Sequence, residues 1–278
     1  MKHFIAVFLF LYIGTSAQTH RFIYEVNYKK DSTSNIITKE FYHLDINPEN
    51  VEYYGRDYFI MDSLMTNNVQ MTEQNSKGSL GDIIIHDKNS QNYDNYELLQ
   101  YDMIHLKSVD KQKWKLSKDK KTLGQYSVQK AETSWGGRHW TAWFAEAIPF
   151  PEGPYKFNGL PGIIMELSDS KGNYNFKLIR SENFPETVKS PVPSFFISKA
   201  VLILKEKYVK TKMMYYNDPL AFLKNMNITL TSDNYAILKD GTKVTLNNQK
   251  EVIAKQQKLI RDYNNPIELD QAINYPSK

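Results

Sequence analysis

The chain of 278 residues is 41% hydrophobic and contains no cysteine, which excludes a disulfide scaffold, a thiolate metal site and a cysteine nucleophile. With only 12 Gly and 11 Pro, a collagen-like or wholly disordered chain is excluded as well. The tally of 35 Lys+Arg against 31 Asp+Glu gives +4, too weak a balance to call for a nucleic-acid partner.

The chain opens with Lys2 and His3, an unbroken apolar run over 4–13 (FIAVFLFLYI), and then Gly14, Thr15, Ser16 and Ala17. Basic start, short apolar stretch and small residues in that order read as a secretory signal peptide over 1–17, cut between Ala17 and Gln18. An anchor is the competing reading, but the run is about 10 residues where a span needs roughly 20. No later run is long enough to cross a membrane as a helix. Residues 18–278 are expected to form one exported, β-rich domain in the periplasm, at the outer membrane or secreted.

Strand signals dominate the rest of the chain. Phe22, Tyr24, Val26 and Tyr28 alternate with Glu25, Asn27 and Lys29, the period of a strand with one buried face. A polar turn over 31–35 leads to a partner strand over 36–46. Residues 61–81 lack periodicity and fit a loop or a short helix. A second strand set covers Ile83 to Ile85, 96–100 and 103–106. The lysines of 107–121 are interleaved with Val109, Trp114 and Leu116, as on a guarded sheet edge. Strands over 163–167 and 174–179 flank a polar loop containing Gly172, and 234–239 and 242–246 flank the turn signal Asp240-Gly241. Between these hairpins, Ile197, Val201, Leu204 and Tyr208 suit a helix, although 201–204 alone fits a buried strand equally well. Together with a second apolar cluster at 220–223, this stretch suits one or two helices. A last one, over 250–261, has few apolar residues and reads as exposed and weakly anchored.

The segment from Gly153 to Ile164 (GPYKFNGLPGII) is the densest motif. Gly153 and Gly162 give backbone freedom, Pro154 and Pro161 fix φ, and Leu160 is an apolar plug, with Gly159 before it. A strand comes next rather than a helix, so a structural corner is the better reading than an anion-binding loop. Trp140 and Trp143 could offer a ligand stacking surface, but on a regular strand they point to opposite faces, and core packing accounts for at least one. His43, His86, His105 and His139 are scattered without zinc-ligand spacing. Asp82 and Asp87 bracket an apolar strand as ordinary strand-end residues. No nucleophile elbow or P-loop is present.

The same motif resembles the signature of the GLPGLI family of exported Bacteroidota proteins, with the family's closing Leu-Ile standing here as Ile163-Ile164. The resemblance extends to Gln125-Tyr126-Ser127-Val128-Gln129-Lys130-Ala131, to Arg138 with Ala142-Trp143-Phe144-Ala145, and to Asn264-Asn265-Pro266-Ile267-Glu268-Leu269. It implies an exported location and a shared architecture, and it supplies no catalytic residue. The expected fold is α+β and mainly antiparallel, a curved, half-barrel-like sheet with a few helices packed against it. The expected function is a non-catalytic binding or carrier module for an apolar ligand, a peptide or an envelope partner. No cofactor, metal or catalytic residue is assigned. The alternative is a hydrolase of envelope or imported polymers, with a carboxylate or histidine site that sequence does not reveal. A long apolar groove would favour the first reading, and carboxylates converging in a polar cleft the second.

Overall fold

The computed structural model describes residues 18–67, 82–99, 102–188, 197–238 and 240–276. The expected signal segment and the cut after Ala17 lie outside these residues. The first alternating stretch is β1 (Thr19–Tyr28), and β2 (Thr38–Ile46), β3 (Asn50–Gly55), β4 (Ile83–Asp87), β5 (Asn92–Leu99) and β6 (Asp102–Val109) continue it as one antiparallel meander. Helix α1 (Arg56–Thr66) interrupts it between β3 and β4. A second meander comprises β7 (Lys115–Leu123), β8 (Tyr126–Trp135), β9 (Arg138–Ala145), β10 (Ile163–Asp169) and β11 (Tyr174–Phe184). Antiparallel pairing of β1 with β11 fuses the two into one sheet. A two-residue strand, β12 (Val201–Leu202), extends it in parallel beside β6.

Chain connectivity imposes the curvature. Strands β6 and β7 lie at opposite ends of the eleven antiparallel strands, yet only residues 110–114 join them. Laid flat, ten inter-strand spacings would separate the ends by about 48 Å. A linker of this length reaches about 21 Å at full extension. The sheet therefore has to curl until its ends face each other. It does so without closing, since β6 and β7 do not pair.

Curling gives the alternating side chains an inside and an outside. Phe22, Tyr24, Leu44, Val51, Trp140, Phe144, Leu167 and Phe176 all join one concave core. On the convex side, Tyr54, Tyr58, Ile83 and Met103 form a second cluster with Phe59 of α1. There Arg21 makes a two-pronged pair with Asp45 at 2.7 Å and lies 5.1 Å from the ring centres of both Phe59 and Phe184.

The described part of 197–276 combines helices with loops and a small hairpin. Helix α2 (Lys205–Asn217) starts directly after β12, so the region that fitted strand or helix contains both. Helix α3 (Ala221–Asn225), the small hairpin of β13 (Ala236–Ile237) and β14 (Lys243–Val244), and α4 (Gln249–Asp262) share a third cluster built on Leu220, Phe222, Val244 and Val252. Helix α4 is better anchored than its composition suggests. Gln257 donates to the Tyr216 carbonyl at 3.0 Å and Arg261 to the Tyr216 hydroxyl at 2.6 Å.

The Gly-Pro corner fills the gap between the two ends of the sheet. Trp114 Nε1 donates to the Asn158 carbonyl at 2.7 Å, while Asn158 Nδ2 donates to the Tyr93 hydroxyl on β5 at 2.5 Å. Leu160 is buried in the concave core, as expected of a plug, and Phe157 is buried there with it. The glycines serve differently from the expectation. The left-handed positions are Tyr155 (φ +59°) and Gly159 (φ +87°), not Gly153 or Gly162. At Gly162 a Cβ would sit 2.1 Å from the Ala145 carbonyl oxygen, and at Gly153 one would sit 2.6 Å from Ile164 Cδ1. Close approach is what excludes a side chain there. Accordingly, Gly162→Ala should destabilise by about 1–3 kcal/mol through overpacking. Gly159→Ala, which meets open space, should cost only about 1–2 kcal/mol of left-handed strain. Urea denaturation of both variants checks this, and a larger loss at Gly159 would contradict it.

Candidate functional site

The concave side of the sheet is packed solid at one end and hollow at the other. The hollow is a cavity of about 610 Å³, within the range of small-molecule sites. Its walls come from inward positions of β1 (Val26, Tyr28), β2 (Tyr42), β3 (Tyr53), β5 (Asn95, Glu97), β6 (Leu106, Ser108) and β11 (Tyr174, Phe176). The corner contributes Tyr155 and Lys156, α2 contributes Tyr208, and the segment after α4 contributes Pro266, Ile267 and Glu268. The lining is therefore mostly apolar in surface, but that surface is carried largely by tyrosine rings and is interrupted by carboxylates.

Rings and carboxylates are organised in three groups. Tyr28 and Tyr42 both donate to Glu40, each at 3.0 Å. Tyr28 stacks on Tyr174 with centres 5.6 Å apart, and Tyr42 on Tyr53 at 4.9 Å. In the second group, Glu268 accepts from Tyr155 at 2.8 Å and from Lys156 at 2.6 Å, and Lys156 also lies 3.0 Å from Asp110. In the third, Glu97 accepts from Tyr208 at 2.6 Å and pairs with Lys212. Burial is the main cause that raises the phenol pKa values of Tyr28, Tyr42, Tyr53, Tyr155 and Tyr208, and the carboxylates beside them add to it. These tyrosines stay neutral and can donate.

Asp82 lines the same cavity just before β4. Burial, and then the charge of Glu97, push its carboxyl up to about 7, while Lys212 and Lys156 pull the other way. In the sequence it reads as an ordinary strand end. The curl that turns this end of β4 toward the hollow comes from long-range pairing, and no local signal announces it.

The last wall is held in place by Arg138. From the start of β9 its guanidinium donates to the carbonyls of Ile267 and Pro266 at 3.0 and 2.6 Å and to Asn265 Oδ1 at 2.6 Å, with Asp169 3.4 Å away. Asn265 donates onward to the Lys29 carbonyl at 2.6 Å. Gly136 and Gly137 form the tight β8–β9 turn, and their lack of side chains lets the backbone at Glu268 and Asp270 lie directly against them. Arg138 and the Asn264–Leu269 motif, far apart in the sequence, thus meet in one clasp.

The tryptophans lie elsewhere. Trp140 is buried in the solid end of the core against Phe157, with ring centres 4.8 Å apart, and donates to the Trp135 carbonyl. Trp143 is on the outer face, where Lys121 lies 4.4 Å from its ring centre. Neither lines the cavity. Gly153, Pro154, Gly159, Leu160, Pro161 and Gly162 act through the corner, whose product at the site is Tyr155 and Lys156. Among the described residues no group of three or more histidines and carboxylates is arranged to hold a metal ion.

Residues 137–166 match a family described as a protein of unknown function (Porph_ging), a stretch that contains β9 and the corner. No curated protein matches the chain. Two crystal structures of PNGF-II are similar in fold. The P21 form shows 13% identity and a TM-score of 0.49 over 69% of this chain and 32% of that one. The C2 form shows 12% identity and a TM-score of 0.47 over 68% and 31%. The chain spans about a third of the length of these structures.

The geometry makes two outcomes testable. Arg138→Gln strips the clasp and should destabilise by about 3–5 kcal/mol in chemical denaturation, with limited proteolysis cutting within 264–276 before the sheet. Unchanged protection of that segment would count against the clasp. For Asp82 the folded pKa lies above the unfolded one, so the wild type loses stability as pH rises from about 4 to 7 and no more above that. Asp82→Asn removes this loss. Its gain in melting temperature over wild type should grow across that window and then level off, and a pH-independent gap would overturn the assignment.

Proposed function

We propose that this is an exported binding protein that takes a small molecule into the hollow end of its curved sheet. The cavity of about 610 Å³ bounded by β1–β3, β5, β6, β11 and the clasped segment carries this reading. A concave, pre-formed site with an apolar share and a few converging polar groups is the usual form of a ligand site. Location rests on the signal-like order of residues 1–17, and the GLPGLI resemblance of Gly153 to Ile164 supports it. Among the described residues no helix is long and apolar enough to cross a membrane.

The lining favours an amphipathic ligand over a purely apolar one. Seven tyrosine rings line the cavity, offering flat apolar faces with polar edges. A second reading, hydrolysis, is favoured by one observation: a carboxyl held near neutrality shares this cavity with Glu97 and Glu268, as in acid–base pairs. Native mass spectrometry of the protein isolated from its envelope fraction separates the two. A bound small molecule should be present and displaced by the cavity-filling Leu106→Trp. Turnover of an envelope polymer that Asp82→Asn abolishes would put the hydrolase first. An adduct unaffected by Leu106→Trp would overturn the cavity as the site.

A further inference from the structure

Two ammonium groups of the chain itself already pair with carboxylates that line the cavity. Lys156 places Nζ 5.4 Å from the centre of the Tyr155 ring, against Glu268 and Asp110. Lys212 places Nζ 5.2 Å from the Tyr208 ring centre, against Glu97. Each is a cation over an aromatic face with a carboxylate as counter-ion, an arrangement that gains strength when water is excluded.

The third group has the same parts without the lysine. Glu40 receives the hydroxyls of Tyr28 and Tyr42, and Tyr53 stacks on Tyr42. Asp82 lines the cavity together with Tyr28, Tyr42 and Tyr53, and Glu40 holds two of these rings by their hydroxyls. Among the described residues neither carboxylate has an ion-pair partner. The cations that act on Asp82, Lys212 and Lys156, are engaged by Glu97 and Glu268. Asp82 thus faces the cavity beside these aromatic rings with no resident cation, and a carboxylate so placed gains from a positive group that joins it.

We propose that the Tyr28–Tyr42–Tyr53 group, with Glu40 and Asp82 as counter-ions, holds an ammonium group brought in by the ligand, so that the cavity takes small organic amines or quaternary ammonium compounds. This rests on the cavity being a ligand site, and it names the chemistry of the molecule that enters.

Calorimetric titration of the full mature chain with choline, with its uncharged isostere 3,3-dimethyl-1-butanol and with methyl glucoside tests it. Choline should bind at least tenfold more tightly than the isostere. Glu40→Gln and Asp82→Asn should each reduce that preference by a similar factor. Tyr53→Phe, which keeps the ring, should bind as wild type, and Tyr53→Leu should lose choline while its circular dichroism stays native. Equal binding of choline and the isostere, binding of methyl glucoside alone, or no binding of choline overturns the ammonium assignment. The adduct displaced by Leu106→Trp is scored separately, so the cavity reading can stand when this one falls.

Discussion

Five residues decide the shape of this protein. Joining β6 to β7 through 110–114 forbids a flat sheet, and the curl that results separates a concave from a convex face. The separation explains why neighbouring side chains on one strand have such different surroundings. Tyr53 faces the cavity while Tyr54 lies under α1 beside Asp45. The linker also leaves a gap between the two ends of the sheet, because bringing them near is not the same as pairing them. The Gly-Pro corner occupies that gap, with Phe157 and Leu160 pointing into the core and Asn158 bonded to both sides. Packing and site formation are consequences of one connection.

The hollow end stays open because of the side chains that line it. Aliphatic walls of this curvature would be driven together by the area they could remove from water. Tyrosines whose hydroxyls are committed to Glu40, Glu268 and Glu97 hold their rings at fixed positions instead, and the paired lysines brace them. Two of these carboxylates also tie together segments far apart in sequence. Glu268 joins the corner to the clasped segment, and Glu97 joins β5 to α2. Polar pairing thus does in the cavity what hydrophobic contact does at the solid end.

Much of the fold was legible in local pattern. The alternation of Phe22, Tyr24 and Val26, the loop with Gly172 and the lysine-rich edge of β7 each correspond to a periodicity or turn preference that acts within a few residues. Strand β3 was missed, since Tyr53 and Tyr54 are both buried, one on each face, and alternation disappears. The corner was recognisable as a corner, but the reason for Gly162 was not, because the Ala145 carbonyl that excludes a side chain is brought there by strand pairing. The site was less legible still. Its carboxylates, Glu40, Asp82, Glu97, Asp110 and Glu268, are spread along most of the chain with no shared spacing. The tryptophans drew attention by their density, whereas the tyrosines, 19 of them and widely distributed, carried the cavity.

The clasp formed by Arg138 also sets an order of events. Residues 264–271 come after every strand of the large sheet in the chain, yet they supply a wall of the cavity and the carboxylate that neutralises Lys156. In a chain threaded outward from its N-terminus, all the strands are available to pair and curl before this segment emerges. Until Asn265 and Pro266 reach the guanidinium, the hollow end is a trough rather than an enclosure, with Lys156 lacking one of its two carboxylates. The hollow is therefore the last feature the folding chain completes, and a chain halted short of Asn265 would have a sheet without this wall.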